Sequence, residues 1–226
     1  MSYFPVSLDL AGRSCIVIGG GKVAERKVRS LTACAAQVKI ISPELTPGLL
    51  ELYNDGSLAW EKRAYQEGDL SGAFLVMAAT DDADVQAMVH LEAEQKGLLL
   101  NVADVPGQCN FILPATVRQG DLTISVSTGG RSPALASCLR QELEKRFGPE
   151  YKVIVEVLGI IRPYILATGK AQADNEIIFN RLVHADMPEW IRKQEWDKVE
   201  GHIRSILGPE ITDKCLAEIR VAYKQK

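Results

Sequence analysis

Three consecutive glycines, Gly19-Gly20-Gly21, separate the apolar run Ser14–Ile18 from a stretch with helical spacing. In that stretch Ala24, Val28, Leu31 and Ala35 recur at intervals of four, three and four, which marks one face of an α-helix. No other feature constrains the fold as much as this strand turning sharply into a helix. The turn reads Gly19-Gly20-Gly21-Lys22-Val23-Ala24, which has the form G-x-G-x-x-A. One glycine permits the tight turn, the next lets backbone approach a pyrophosphate, and the small last residue packs helix on strand. The N–H groups at the helix start then face the diphosphate, so the implied ligand is a dinucleotide. Gly19, Gly21, Lys22 and Val23 are the candidate diphosphate contacts.

The same alternation continues downstream. Gln37–Ile41 predicts a second strand, closed by Ser42-Pro43 because the residue before a proline disfavours helix. Residues 74–78 and 98–102 predict a third and a fourth, with a helix over 83–96 between them. Residues 58–63 suggest a further strand after the Asp55-Gly56 turn. Strands alternating with helices imply βαβ units and a parallel sheet covered on both faces. The expected class is therefore α/β, a Rossmann-like doubly wound sheet. An acid at the tip of the second strand would hold ribose hydroxyls. Glu44, beside Pro43 and 25 residues after Gly19, is the candidate. No arginine directly follows, which favours NAD over NADP. Thr80 and Asp81, after the third strand, would border the nucleotide.

The pattern changes after Pro114. Residues 116–118 and Leu122–Val126 flank Gln119-Gly120-Asp121 and read as a hairpin. Ser132-Pro133 supplies an N-cap and a first-turn proline, and Leu135, Leu139 and Leu143 line a helix face up to Gly148-Pro149. From Tyr151 onward the chain reads as helical, with stripes at Trp196, Val199, Ile203 and Ile206 and at Leu216, Ile219 and Tyr223, separated by Gly208-Pro209. Three parts result: 1–113, 114–150 and 151–226.

Composition narrows the function classes. The 226 residues are 46% hydrophobic and 24% charged, which excludes a disordered chain. The net charge of −3 argues against nonspecific nucleic-acid binding, which needs a basic surface. No apolar run approaches the roughly 18 residues of a membrane span, and the start has no signal-peptide pattern, so a cytoplasmic protein is expected. Five scattered cysteines without a Cys-x-x-Cys pair fit a reducing compartment, with Cys109 read as packing. His90, His184 and His202 are dispersed and suggest no metal site; Trp190 and Trp196 read as core of the helical part.

Several stretches together resemble one family. They are Val17-Ile18-Gly19-Gly20-Gly21-Lys22-Val23-Ala24, Ser42-Pro43-Glu44, Ala79-Thr80-Asp81-Asp82 and Asn101-Val102-Ala103-Asp104. Cys109-Asn110-Phe111-Ile112-Leu113-Pro114-Ala115 and Ser125-Val126-Ser127-Thr128-Gly129-Gly130-Arg131-Ser132-Pro133 complete the set. The chain is similar through about residue 150 to the precorrin-2 dehydrogenases, a family that includes the dehydrogenase–ferrochelatase part of siroheme synthase. The resemblance implies oxidation of precorrin-2, a reduced tetrapyrrole with eight carboxylates, to sirohydrochlorin with NAD⁺ as hydride acceptor. It also implies a homodimer that exchanges the middle unit, and, in some members, insertion of Fe²⁺ into the product.

By the same resemblance Asp104 takes the position of the catalytic aspartate. It lies just past the fourth predicted strand, at the carboxyl edge where open α/β sheets bind ligands. Oxidation by hydride transfer also releases a proton, and a partly buried carboxylate there could accept it. Val105 stands where some relatives carry a second acid, which weakens the case for chelation. The loop Thr128-Gly129-Gly130-Arg131 could offer backbone N–H groups and a guanidinium to substrate carboxylates, with Arg118 on the hairpin a lesser candidate. A competing class is a nucleotide-sensing regulatory domain, which has no need of a Gly-Gly-Arg loop for a polyanion.

Overall fold

The computed structural model describes residues 3–224. They form two compact units, the first ending at Leu113 and the second beginning at Pro114. No helix among the described residues is long and apolar enough to cross a membrane.

The first unit is a five-stranded parallel sheet: β1 (Ser14–Ile18), β2 (Gln37–Ile41), β3 (Leu58–Glu61), β4 (Leu75–Ala78) and β5 (Leu99–Val102). The strand order is β3-β2-β1-β4-β5. Successive side chains of a strand point to opposite faces, and β1 supplies both. Cys15 and Val17 join one core with Ala24, Val28 and Leu31 of α1 (Lys22–Thr32) and Leu49 of α2 (Pro47–Asn54). Ile16 and Ile18 join the other with Val89 and Ala93 of α3 (Ala83–Gln95). Helices on both faces make the sheet doubly wound. The chain runs outward from β1 through β2 to β3 and then returns to β4 on the other side of β1. That return places the topological switch between β1 and β4, where open α/β sheets carry their ligand crevice.

Two local readings needed correction. Ala35 lies outside α1, which ends at Thr32; it is exposed with φ 55°, and Ala36 takes the buried place. Helix α2 was not anticipated from the sequence. Thr46 caps it by accepting the Leu49 N–H, and Pro47 opens it.

In the second unit β6 (Ala115–Gln119) and β7 (Leu122–Val126) pair antiparallel through the Gly120-Asp121 turn. Helix α4 (Pro133–Arg146) packs on both strands, with the Ser132 side chain accepting the Leu135 N–H at 3.2 Å. Leu135 and Leu139 of its predicted apolar face are exposed, and Ala136 is the buried residue. Five helices follow: α5 (Glu150–Leu166), α6 (Gln172–Leu182), α7 (Met187–Arg192), α8 (Trp196–Leu207) and α9 (Pro209–Lys224). Ile154, Val157, Ile161 and Ile165 of α5 form the centre of their core, with Val199 and Ile203 of α8 and Leu216 and Ile219 of α9. Gly208, at φ 77°, separates α8 from α9. The side chain of Tyr223 lies outside the described residues.

Candidate functional site

Loops leave the carboxyl ends of β1, β4 and β5 side by side. The first holds the glycines. Gly19 has φ 109°, and a β-carbon there would lie 2.2 Å from the Ala79 carbonyl oxygen, so the loops after β1 and β4 meet only because this residue has no side chain. Gly20 is packed as closely against Glu44. Gly21 differs: a β-carbon there meets nothing within 4 Å. It is the N-cap of α1 and brings no side chain to the first-turn N–H groups. Exposed Lys22 and half-buried Val23 follow. Open space before uncapped helix amides is what a diphosphate requires, so these residues fit a dinucleotide.

The loop after β2 is tied to this turn. Thr46 N–H donates to the Gly20 carbonyl at 3.0 Å, and the Ser42 hydroxyl donates to the Glu44 carbonyl at 2.8 Å. The Trp60 indole N–H donates to the Ser42 carbonyl at 2.9 Å. These bonds fix the backbone while leaving Pro43 and Glu44 exposed. Glu25, the acid in the first turn of α1, is engaged within the fold. It accepts from the Thr46 hydroxyl at 2.6 Å and from Arg29 at 2.7 Å. Those contacts, Thr46 first, hold its carboxyl below the usual range.

After β4, Thr80 is half-buried and Asp81 exposed. The Thr80 hydroxyl accepts the Asp82 N–H at 3.2 Å, and Asp82 caps α3 by accepting from Asp84 and Val85. After β5, the Ala103 N–H extends the sheet by donating to Ala78 at 2.8 Å. Asp104 follows with φ 61°, one of three described non-glycine residues in the left-handed region. Its side chain is exposed. Strained backbone of this kind concentrates at functional sites. The fold thus brings Gly19, Gly21, Lys22, Val23, Pro43, Glu44, Thr80, Asp81 and Asp104 to one edge of the sheet.

In the second unit Arg118 is exposed on β6, and Thr128, Gly129, Gly130 and Arg131 link β7 to α4. Three N–H groups in and beside this loop are already used. Gly129 N–H bonds Ser127 Oγ at 3.1 Å, Arg131 N–H the Thr128 carbonyl at 3.1 Å, and Ser132 N–H Thr128 Oγ1 at 3.0 Å. Of the two glycine N–H groups, that of Gly129 is engaged by Ser127, and the Arg131 side chain is exposed.

Several polar groups escaped sequence reasoning. Lys27 lies on the buried face of α1 and donates to Asn101 Oδ1 of β5 at 2.5 Å. Glu92 of α3, only 4% exposed, accepts the Gly68 and Leu70 N–H groups at 2.9 and 3.2 Å, bonds the Tyr65 hydroxyl, and pairs with Lys96 at 3.1 Å. His184 and His202 are not dispersed in space: their rings lie 5.0 Å apart, and His184 stacks on Trp190 at 4.8 Å. His90 and Cys109 share a small cleft of about 130 Å³ with Glu94 and Gln108.

Comparison with known proteins places both units. Residues 6–115 match the family described as "Putative NAD(P)-binding", and residues 119–146 match "Sirohaem biosynthesis protein central". The first unit is thus of the nicotinamide-dinucleotide-binding type. A siroheme synthase of Nitrosococcus oceani is 33% identical over 207 residues, covering 92% of this chain and 44% of that protein. One of Methylobacillus flagellatus is 40% identical over 144 residues, covering 64% and 31%. The chain spans less than half the length of these relatives. A solved structure of SirC, precorrin-2 dehydrogenase, shares the fold, with a TM-score of 0.73 at 24% identity over 88% of this chain and 100% of that one. With two consecutive family matches and relatives at this level of identity, the chain belongs to the sirohaem-biosynthesis family that includes the siroheme synthases.

Proposed function

We propose that this protein is an NAD⁺-dependent precorrin-2 dehydrogenase, which oxidises precorrin-2 to sirohydrochlorin. The carrying observation is the uncapped, open start of α1 at the β1–β4 switch, with a left-handed Asp104 at the end of the neighbouring strand pair. Gly19, Gly21, Lys22 and Val23 would seat the diphosphate and Thr80 and Asp81 would border the nucleotide. Pro43 and Glu44 would face the ribose, where the Glu44 carboxylate accepts hydroxyl donors and repels a 2′-phosphate, favouring NAD over NADP. The bound nicotinamide would supply the hydride acceptor. Asp104 would take the proton that the macrocycle loses with that hydride. Arg131, held by the Thr128–Ser132 bonds, would grip substrate carboxylates with Thr128, Gly129 and Gly130 shaping the loop, and Arg118 would add charge.

Residues 114–150 would form the interface of a homodimer, a reading supported by the exposed Leu135 and Leu139 on α4. Iron insertion into sirohydrochlorin, with Fe²⁺ as second substrate, is the companion activity that the name of the siroheme synthase relatives favours. Anaerobic absorbance of precorrin-2 with the protein separates the two. NAD⁺ alone should produce the sirohydrochlorin spectrum; Fe²⁺ added to preformed sirohydrochlorin reads chelation independently. No spectral change with NAD⁺ contradicts the dehydrogenase.

A further inference from the structure

Lys27 is 7% exposed, on the same face of α1 as Ala24, Val28 and Leu31. A methionine would complete that apolar face without desolvating a charge. Burial pushes the Lys27 ammonium below the ordinary lysine range. Cys109 opposes that push, nearby Arg26 adds to it, and Asp104 opposes it further. Burying a cation carries a large desolvation cost, so what the ammonium contacts bears on why it is there.

Among the described residues its direct hydrogen-bond partner is Asn101 Oδ1, at 2.5 Å. Asn101 is itself 8% exposed and sits one residue before the end of β5. Its amide donates to the Phe111 carbonyl at 3.2 Å and lies 3.8 Å from Cys109 Sγ. Cys109 Sγ in turn accepts the Val102 N–H at 3.2 Å and lies 3.4 Å from the Val105 carbonyl. Asn110 closes the base of the same loop, with its N–H on the Leu100 carbonyl at 3.1 Å and its Oδ1 accepting the Leu100 N–H at 2.8 Å. Residues 103–109 are therefore a loop clamped at its base, and Asp104 rides on it at φ 61°. A non-glycine residue keeps such a backbone only when its surroundings over-determine it. Those surroundings run from the loop to Asn101 and end on Lys27.

We infer that Lys27, acting through Asn101, is a positioning residue that fixes the turn carrying Asp104. Its effect on turnover rests on the role given to Asp104 above; its effect on the loop does not. Hydrogen–deuterium exchange and steady-state kinetics of Lys27→Met and Lys27→Gln test it, since glutamine restores an N–H donor toward Asn101 without the charge. In Lys27→Met the amides of Val102, Gln108, Cys109 and Asn110 should exchange at least about tenfold faster, with those of β1 unchanged. Turnover should fall about tenfold or more while KM for NAD⁺ stays within about twofold, because misplacing a reacting group costs rate and not cofactor binding. Lys27→Gln should recover part of both effects, and its exchange pattern decides the matter if the methionine variant does not fold. Unchanged exchange in the loop, or acceleration spread evenly through the first unit, overturns the inference. Local loosening in a protein that never oxidises precorrin-2 would instead remove the proposed activity and leave the positioning role.

Discussion

Gly20 lies so close to Glu44 that a β-carbon on it would sit 1.9 Å from the Glu44 carbonyl oxygen. The glycine turn and the loop after β2 are thus one packed structure, with the Thr46 N–H to Gly20 carbonyl bond beside the contact. The three glycines consequently do different work. Gly19 and Gly20 allow backbone segments to meet, while Gly21 leaves space open in front of a helix end.

Gly20→Ala should destabilise the first unit by about 1–3 kcal/mol, because backbone and not a flexible side chain must move. Gly21→Ala should stay within about 1 kcal/mol of wild type, since φ −82° and ψ −174° suit alanine. Its NAD⁺ affinity should nonetheless fall at least about tenfold, as its methyl enters the diphosphate space. Thermal melts and calorimetric titration read the two effects. Normal cofactor affinity in folded Gly21→Ala would contradict this seat.

Asp104→Asn should leave the fold and NAD⁺ affinity as they are, because asparagine tolerates the left-handed backbone as aspartate does. Turnover should drop by about 10² or more with loss of the proton acceptor. Retention of wild-type turnover would remove Asp104 from the chemistry.

Glu92 predicts a pH dependence. Burial pushes its carboxyl up, but hydrogen bonds from Tyr65, Gly68, Lys96 and Leu70 outweigh burial and hold it below the usual range. A depressed folded value means the stabilisation is complete above the unfolded carboxylate value and is lost as pH falls through the folded one. Glu92→Gln should therefore cost about 1–3 kcal/mol at pH 7, and the gap should narrow on acidification below about pH 4. Denaturant melts at both pH values check this; a constant gap would contradict it.

Arg131→Leu should raise KM for the tetrapyrrole about tenfold, the worth of one charge-assisted contact, with KM for NAD⁺ unchanged. Steady-state kinetics with each substrate varied in turn separates the two. Equal rises in both constants would assign the loop a structural part only.

Strands β1 and β4 were legible because each is a short apolar run with buried residues on both faces. Strand β3 and the hairpin strands β6 and β7 are only partly buried and were legible from the glycine turns beside them. Helix α2 was not, since it is only eight residues long and fully buries only Leu49, so its apolar spacing spans barely two turns. The spacing overran at Ala35 because periodicity continues past the point where the chain leaves the helix. Candidate residues along the sheet edge were readable from motifs placed just after strands. Lys27 was invisible for the opposite reason: a lysine on an apolar face looks like an interruption until Asn101 is found opposite it. His184, in the loop between α6 and α7, meets His202 of α8 through tertiary packing, which no local pattern encodes.

The most direct test of the central claim is to count NADH formed against sirohydrochlorin formed when the protein meets precorrin-2 and NAD⁺ under anaerobic conditions, with Asp104→Asn alongside. The account predicts equal amounts of the two products from wild type and a rate lower by about 10² from the variant. Sirohydrochlorin appearing without matching NADH, or at the same rate from both proteins, would contradict it.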